Sequence, residues 1–338
     1  MKKCIGCLND RKLKGDYCSR CIKDVFDGIV PNKLTFNKKE FYIQRNELAQ
    51  RMSISGVQDK ISLKFENKNL LATATDGKFI LKPMPSANQI KHEKDVVFNE
   101  HLSMLISKNI FKINTALCAL IKFKDGEMAY ITKRFDYDTD SGLKYDQEDF
   151  ASVLDVNSAK DGANYKYDAR NYIDCANAIK MHVSASAVAL EDFFKRILIN
   201  YLISNGDAHL KNFSLFSPSN IRDYTLTPNY DILNTRYHIN ESYGDMAMDL
   251  MEEYTSAHES IGYYSYADFK LFATYLNIKD IRFKKIMKQI NESIDKVATL
   301  VEASFLSEDA KKYYIESYKD RLKRINYKLD VTKHQLNT

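Results

Sequence analysis

Residues 204–213 read S-N-G-D-A-H-L-K-N-F and follow directly on the apolar stretch F-F-K-R-I-L-I-N-Y-L-I at 193–203. Phe193, Phe194, Ile197, Leu198, Tyr201 and Leu202 recur at helical spacing, so this stretch predicts a helix with one apolar face. Where that helix is expected to stop, an acid (Asp207), an imidazole (His209), an amine (Lys211) and an amide (Asn212) gather within six positions. One such residue would be an ordinary polar turn. Four together make a candidate site.

The bulk of the sequence sets bounds on that site. The chain of 338 residues is long enough for two domains or lobes, each with its own core. Hydrophobic residues make up 44% and charged residues 28%, the balance of a soluble globular protein. The net charge of +5 is spread over alternating signs and reads as a solvated surface rather than a nucleic-acid face. No apolar run reaches the ~18 residues a membrane helix needs. The start, M-K-K-C-I-G-C-L-N-D, lacks the apolar segment of a signal peptide, so the expected location is the cytoplasm.

Four of the six cysteines sit in the first 21 residues: Cys4 and Cys7, ten intervening residues, then Cys18 and Cys21. Two C-x-x-C knuckles at this spacing predict a tetrahedral zinc site, each wrapping two thiolates around one side of the ion. Nearby Lys and Arg residues favour the thiolate form. A disulfide framework is the competing reading, and it belongs to secreted chains. Cys118 and Cys175 stand alone in apolar surroundings and are expected to be small core residues.

Along the chain, residues 1–30 form the cysteine module, and 39–52 have helical spacing. Strand-like runs follow at 60–65 and 78–83, the second after a D-G turn, then a helix over 90–109 and two more strands, A-L-C-A-L-I-K-F and M-A-Y-I-T-K-R-F. Beyond about 147 the pattern turns helical, at 171–190, 192–204, 266–276, 280–302 and 308–328. The tyrosines of G-Y-Y-S-Y at 262–266 read as packing residues. The expected fold class is α+β: a small zinc module (1–30), a strand-rich lobe (31–136) and a larger all-helical lobe (137–338).

Phosphoryl transfer needs an acid beside the attacking hydroxyl, oxygen ligands for magnesium and a cation on the phosphates. In the protein-kinase catalytic loop H-R-D-x-x-x-x-N, the acid and the metal-binding amide are five residues apart, as Asp207 and Asn212 are here. Downstream, L-T-P-N-Y-D-I-L supplies Asp231 where a second metal ligand is expected. Upstream, Lys82 lies on a predicted strand and Glu100 on the helix after it. D-x-x-x-x-N alone is a weak signal, and the ordered set Lys, Glu, Asp, Asn, Asp is a much stronger one.

The chain resembles the HipA-type serine/threonine kinases, the toxin components of bacterial toxin–antitoxin systems. The matching pieces are S-I-S-G-V-Q-D-K (53–60), L-K-P (81–83), F-N-E (98–100), K-R-F-D (133–136), Q-E-D-F (147–150), K-Y-D (166–168), N-G-D-A-H-L-K-N-F-S (205–214) and L-T-P-N-Y-D-I-L (226–233). The resemblance implies a two-lobed protein-kinase-like fold that uses ATP and Mg2+. It makes Asp207 the catalytic base, Asn212 and Asp231 magnesium ligands, and Lys82 the holder of the α- and β-phosphates. Ser55, Gly56, Val57, Gln58, Asp59 and Lys60 become the phosphate-binding loop. Lys133, Phe135 and Asp136 fall in the hinge, with backbone reading adenine and Asp136 near the ribose. His209 has two readings, a partner of Asp207 or the phosphates and a structural histidine bonded to the loop backbone. Lys211 either neutralises the γ-phosphate or is solvated. Ser53 and Ser55 are implied sites of autophosphorylation.

The chain also departs from that family. Lys133 stands at a hinge position often held by an acid, and the cysteine module replaces a folded N-terminal subdomain. The latter resembles HipT, whose missing subdomain is a separate small protein, and S-I-S-G is closer to HipT as well. The implied partners are a protein substrate such as an aminoacyl-tRNA synthetase, a helix-turn-helix antitoxin and a small HipS-like protein. Nucleic acid would be met only through the antitoxin, and no membrane is implied. The alternatives are a small-molecule or lipid kinase, and an inactive kinase-like binding module that works through the zinc knuckle.

Overall fold

A computed structural model describes residues 2–49, 59–86, 90–137, 142–217, 223–239 and 246–328. Two short hairpins open the chain, β1 (Lys2–Lys3) with β2 (Asp10–Arg11) and β3 (Leu13–Lys14) with β4 (Tyr17–Cys18), followed by α1 (Ser19–Phe26). Next come α2 (Lys38–Ala49), β5 (Ile61–Glu66), β6 (Asn69–Ala72), β7 (Phe79–Lys82), α3 (Val96–Leu105), β8 (Cys118–Lys122) and β9 (Met128–Lys133). The remainder holds β10 (Asp146–Asp149), α4 (Phe150–Val153), α5 (Ser158–Asp161), α6 (Tyr165–Asp168), α7 (Tyr172–His182), α8 (Ser186–Leu202), β11 (Ser214–Ser217) and β12 (Thr225–Leu226). It closes with α9 (Ser256–Ile261), α10 (Tyr266–Tyr275), α11 (Asp280–Asn291), α12 (Ile294–Ala303) and α13 (Glu308–Ile325). No helix among the described residues is long and apolar enough to cross a membrane.

The chain divides into two compact units, Met1–Tyr145 with Pro228–Asn240 and Lys296–Tyr313, and Asp146–Thr227 with Glu241–Asp295 and Tyr314–Thr338. The first is built on a five-stranded antiparallel sheet of order β6-β5-β7-β9-β8. Leu63, Phe79, Leu81, Ala119, Ala129 and Ile131 are buried on it. α3 packs against β8 and β9 and is buried nearly all round, including its polar residues Asn99, Glu100 and His101. Buried polar side chains need partners, and each of these three has at least one.

β8 is the sheet's edge, and the N-terminal segment covers it. Leu120 N–H donates to Ile5 O at 3.1 Å, Leu34 N–H to Lys122 O at 2.9 Å, and Lys124 N–H to Phe36 O at 3.1 Å. The Tyr17 hydroxyl donates to Leu120 O at 2.7 Å, and the Phe26 ring lies 6.0 Å from that of Phe79. The cysteine module thus shares a core with the sheet.

In the second unit, the apolar face read from 193–202 is buried as expected, with α8 packed on α7. Phe150, Tyr172, Phe193 and Phe213 form an aromatic cluster beneath the loop that follows α8. Cys118 and Cys175 are buried, and Tyr264 is packed with its hydroxyl donating to Asp249, as a core reading requires.

The structure differs from the sequence expectations in four places. β6 intervenes between the two runs at 60–65 and 78–83, so β5 pairs with both β6 and β7. The break expected near 191 lies at 183–185, where Val183 leaves α7 with extended backbone. The helix expected over 280–302 is two, separated at Ser293, whose buried hydroxyl bonds Ile290 O and the Tyr318 hydroxyl. The helical part also carries a three-stranded antiparallel sheet, β10-β11-β12.

Candidate functional site

Lys82 ends β7, where its register partner is Tyr130, and its side chain is buried. Its Nζ donates to Glu100 Oε1 at 2.7 Å and to Asp231 Oδ1 at 2.6 Å. Burial works against the lysine charge, but Asp231 and Glu100 outweigh it and raise its pKa. Burial, with the charge of Asp231 added, pushes Glu100 up to about 7 against the pull of Lys82. Glu100 Oε2 has no hydrogen-bond partner among the described residues. One lysine therefore faces two acids, an arrangement with room for a further cation. Lys60, half-buried, is lowered by burial and then by the Lys82 charge, which places its amine in the same field.

Asp231 is held from both sides. Asn229 N–H donates to Asn114 O at 2.7 Å and its carbonyl accepts from Ala116 N–H at 2.9 Å. Asn234 exchanges two bonds with the Asn99 side chain, each 2.9 Å. Between these anchors Asp231 takes a left-handed backbone, φ +58°. Such a conformation in a non-glycine residue persists only where its surroundings enforce it, and it collects at functional sites.

The Asp207 loop is built within the second unit. Asp207 N–H donates to Asn205 Oδ1, and Asn205 is tied in turn to Asn200 of α8. The Asn212 amide donates to Asp207 O at 2.6 Å, and the Tyr172 hydroxyl donates to Ala208 O at 2.8 Å. Asn212 thereby commits its amide nitrogen to the loop, and Oδ1 is the atom a metal would take. The Asp207 side chain is 44% exposed and accepts from the Tyr167 hydroxyl at 2.5 Å. His209 is buried, with Nε2 3.7 Å from Asp207 Oδ1 and the Tyr167 ring edge-on to it. Lys211 pairs with Asp149 Oδ2 at 2.8 Å, and this bond raises its pKa.

The hinge residues are placed as follows. Lys133 Nζ pairs with Asp27 Oδ1 of the cysteine module at 2.5 Å. Asp136 is buried and bound by both Nε and a terminal nitrogen of Arg134 at 2.9 and 2.5 Å. The Phe135 ring lies 5.5 Å from that of Tyr230. Asp59 pairs with Arg45 at 2.8 Å. Ser53, Ser55, Gly56, Val57 and Gln58 lie outside the described residues.

The four N-terminal thiols converge, with all sulfurs within 4.8 Å of one another. Cys7 and Cys18 sulfurs are 3.8 Å apart, far too long for a disulfide and close to the edge of a zinc–thiolate tetrahedron, about 3.8 Å. Hydrogen bonds with Cys21 and Cys4 pull Cys7 down, while hydrogen bonds with Cys4 and Cys7 push Cys21 up. Thiols packed this closely cannot all ionise without a cation among them. Gly6 has to be a glycine, because a Cβ there would meet Cys21 Sγ at 2.8 Å. The donor set fits zinc.

Several residues escaped sequence reasoning. Tyr167 and Asp149 sit inside the quoted K-Y-D and Q-E-D-F pieces, but nothing in the spelling assigns them to Asp207 and Lys211. Asn99 and His101 flank Glu100 in F-N-E-H, and only tertiary contacts give them partners.

Against known proteins, the HipA-like C-terminal domain model matches residues 52–300. An inferred kinase of Haemophilus influenzae is 27% identical over 309 residues, covering 87% of this chain and 88% of that protein. The inferred kinase Y4dM of Sinorhizobium fredii is 31% identical over 202 residues, 55% of this chain and 46% of that protein. The serine/threonine-protein kinase toxin HipA of Shewanella oneidensis is 25% identical over 207 residues, 54% and 43%. The chain thus spans less than half the length of the last two relatives. Among solved structures, S. oneidensis HipA in complex with HipB and operator DNA superposes with a TM-score of 0.61 at 19% identity, covering 88% of this chain and 72% of that one. The Helicobacter pylori proinflammatory kinase CtkA gives 0.50 at 16% identity, covering 78% and 90%. The fold is that of these kinases, and the chain belongs to the family of HipA-like C-terminal domains.

Proposed function

We propose that the protein is an ATP- and Mg2+-dependent serine/threonine protein kinase of the HipA type. The observation that carries this reading is the Lys82–Glu100–Asp231 cluster, a strand lysine held between a helix glutamate and a strained aspartate. That is the arrangement a nucleotide-phosphate site needs in a kinase. In this reading Lys82 and Lys60 take the nucleotide phosphates, and residues 55–60 form the loop around them. Residues 133–136 are the hinge, with Asp136 near the ribose. Asn212 and Asp231 supply the hard oxygen donors that magnesium prefers. Asp207 accepts the proton of the attacking hydroxyl, and Lys211 and His209 assist at the loop. The magnesium neutralises charge on the phosphates when bound.

We further assign one Zn2+ to Cys4, Cys7, Cys18 and Cys21. The division into a zinc module, a lobe over 31–136 and a lobe over 137–338 is kept as a functional one. In this reading the protein is a toxin of that type, and its target is a translation factor such as an aminoacyl-tRNA synthetase. A helix-turn-helix antitoxin, a small HipS-like protein and a cytoplasmic setting belong to the same proposal. Contact with nucleic acid is then indirect, through the antitoxin.

The test is incubation with Mg2+ and γ-labelled ATP, followed by intact-mass and peptide mass spectrometry beside Asp207→Ala. The expected result is phosphate on Ser53 or Ser55 of the wild type alone. Phosphate on neither chain with any protein substrate, or equal phosphate on both, would overturn the assignment.

A further inference from the structure

Asn99, Glu100 and His101 are consecutive on α3, and successive side chains point about 100° apart around a helix. They therefore face three different neighbours. Asn99 binds the backbone of Asn234, downstream of Asp231. Glu100 binds Lys82. His101 turns to the cysteine module, where its Nε2 lies 3.0 Å from Gly6 O. A carbonyl can only accept, so Nε2 carries the proton.

Gly6 is not a bystander in that module. It sits between Cys4 and Cys7, and the close approach of Cys21 leaves no room for a side chain on it. The knuckle is drawn tight around it, with Cys4 N–H donating to Asn9 O at 3.0 Å and Leu8 N–H to Cys4 O at 2.9 Å. Leu8 takes a left-handed backbone, φ +62°, to close this turn, and its side chain is buried. The position of the Gly6 carbonyl is thus set by how the four sulfurs are gathered. A metal gathers them in one geometry, and mutual repulsion of thiolates opposes it.

We propose that the metal-filled knuckle positions Glu100 through the Gly6–His101 hydrogen bond, so that zinc at the cysteines and Mg-ATP at Lys82 favour each other. This rests on the zinc and kinase assignments above. His101 is a positioning residue in this scheme, not a catalytic one. The other ties between module and sheet reach its strands: Asp16 to Lys122 of β8 at 2.9 Å, Asp27 to Lys133 of β9 at 2.5 Å, and the Phe26 ring against Phe79 of β7. They hold the module in place through the strands rather than through a bond to the helix that carries Glu100.

The experiment uses the full chain and reads nucleotide binding rather than turnover. Zinc content is measured by elemental analysis, and Mg-ATP affinity by calorimetry before and after stripping with 1,10-phenanthroline and desalting. Wild type should hold one zinc per chain, and stripping should weaken Mg-ATP binding about fivefold or more. His101→Leu should keep its zinc, bind Mg-ATP about as weakly as the stripped wild type, and respond little to stripping. His101→Gln, which restores a donor, should behave like wild type, as should Asp16→Asn. Because coupling is reciprocal, saturating Mg-ATP should raise zinc affinity by the same factor in wild type and not in His101→Leu.

Where phosphoryl transfer is measured, His101→Leu should raise KM for ATP with kcat little changed. A His101→Leu chain that keeps zinc and binds Mg-ATP as wild type does would overturn the coupling and leave both assignments standing. Wild type without zinc would overturn the metal site and the coupling with it. Wild type that holds zinc but binds no Mg-ATP would overturn the kinase reading.

Discussion

The Lys82 cluster and the Asp207 loop each gather charged and polar side chains, and they hold them in opposite ways. Lys82 is buried, and its amine bridges two carboxylates whose positions are fixed by α3 and by the strained turn at Asp231. Asp207 keeps its carboxylate 44% exposed, and the protein fixes its backbone instead, through Asn205, Asn212 and Tyr172. The first arrangement makes charge part of the fold, so that function and stability depend on the same atoms. The second separates them.

That contrast is most sharply tested at Asp207. Asp207→Ala should lower phosphoryl transfer by roughly 10²–10⁴-fold, while urea denaturation changes by less than about 0.5 kcal/mol. A large loss of stability would put Asp207 in the same class as Lys82. Lys82→Met should damage both properties. It leaves the buried Glu100 without its cation and should destabilise the protein by about 3–5 kcal/mol at pH 8, with nucleotide binding lost. A Lys82→Met chain as stable as wild type would break the comparison from the other side.

Glu100 gives a smaller effect with a defined pH window. Its folded-state pKa of about 7 lies above the ordinary value of 4.5. An acid raised in this way supports the fold most when protonated, so its contribution is complete below about 4.5 and is lost as pH rises through about 7. Wild type should therefore lose stability relative to Glu100→Gln between pH 5 and pH 8, by about 1–3 kcal/mol. Denaturation curves at the two pH values check the sign, and a gain would refute it. Smallest of all should be Tyr167→Phe, which removes one neutral donor from Asp207. It should change kcat two- to tenfold, about 0.5–1.5 kcal/mol, with thermal stability nearly unchanged.

These two regions also differed in how far they could be read from the sequence. The Asp207 loop is local, so its acid, imidazole, amine and amide are adjacent in the spelling, and the apolar face of α8 marks where the loop begins. Lys82, Glu100 and Asp231 span 149 positions, and only their order in a two-part pattern connected them. The bond from His101 to Gly6 crosses 95 positions and leaves no periodic trace. β10 is mostly exposed and does not alternate in burial, so it carried no strand signal. The break between α7 and α8 falls at V-S-A, which contains neither glycine nor proline to announce it.

The cover over β8 has a consequence for handling the protein. Ile5, Leu34 and Phe36 occupy backbone groups at the open edge of the sheet. The family match begins only at residue 52, which invites trimming the chain to that point. Doing so would bare a strand whose side chains Cys118, Ala119, Leu120 and Ile121 are buried and apolar. Such a strand is a template for pairing with another copy. The trimmed protein should self-associate through that edge, and a light-scattering measurement would show it as mass growing with concentration.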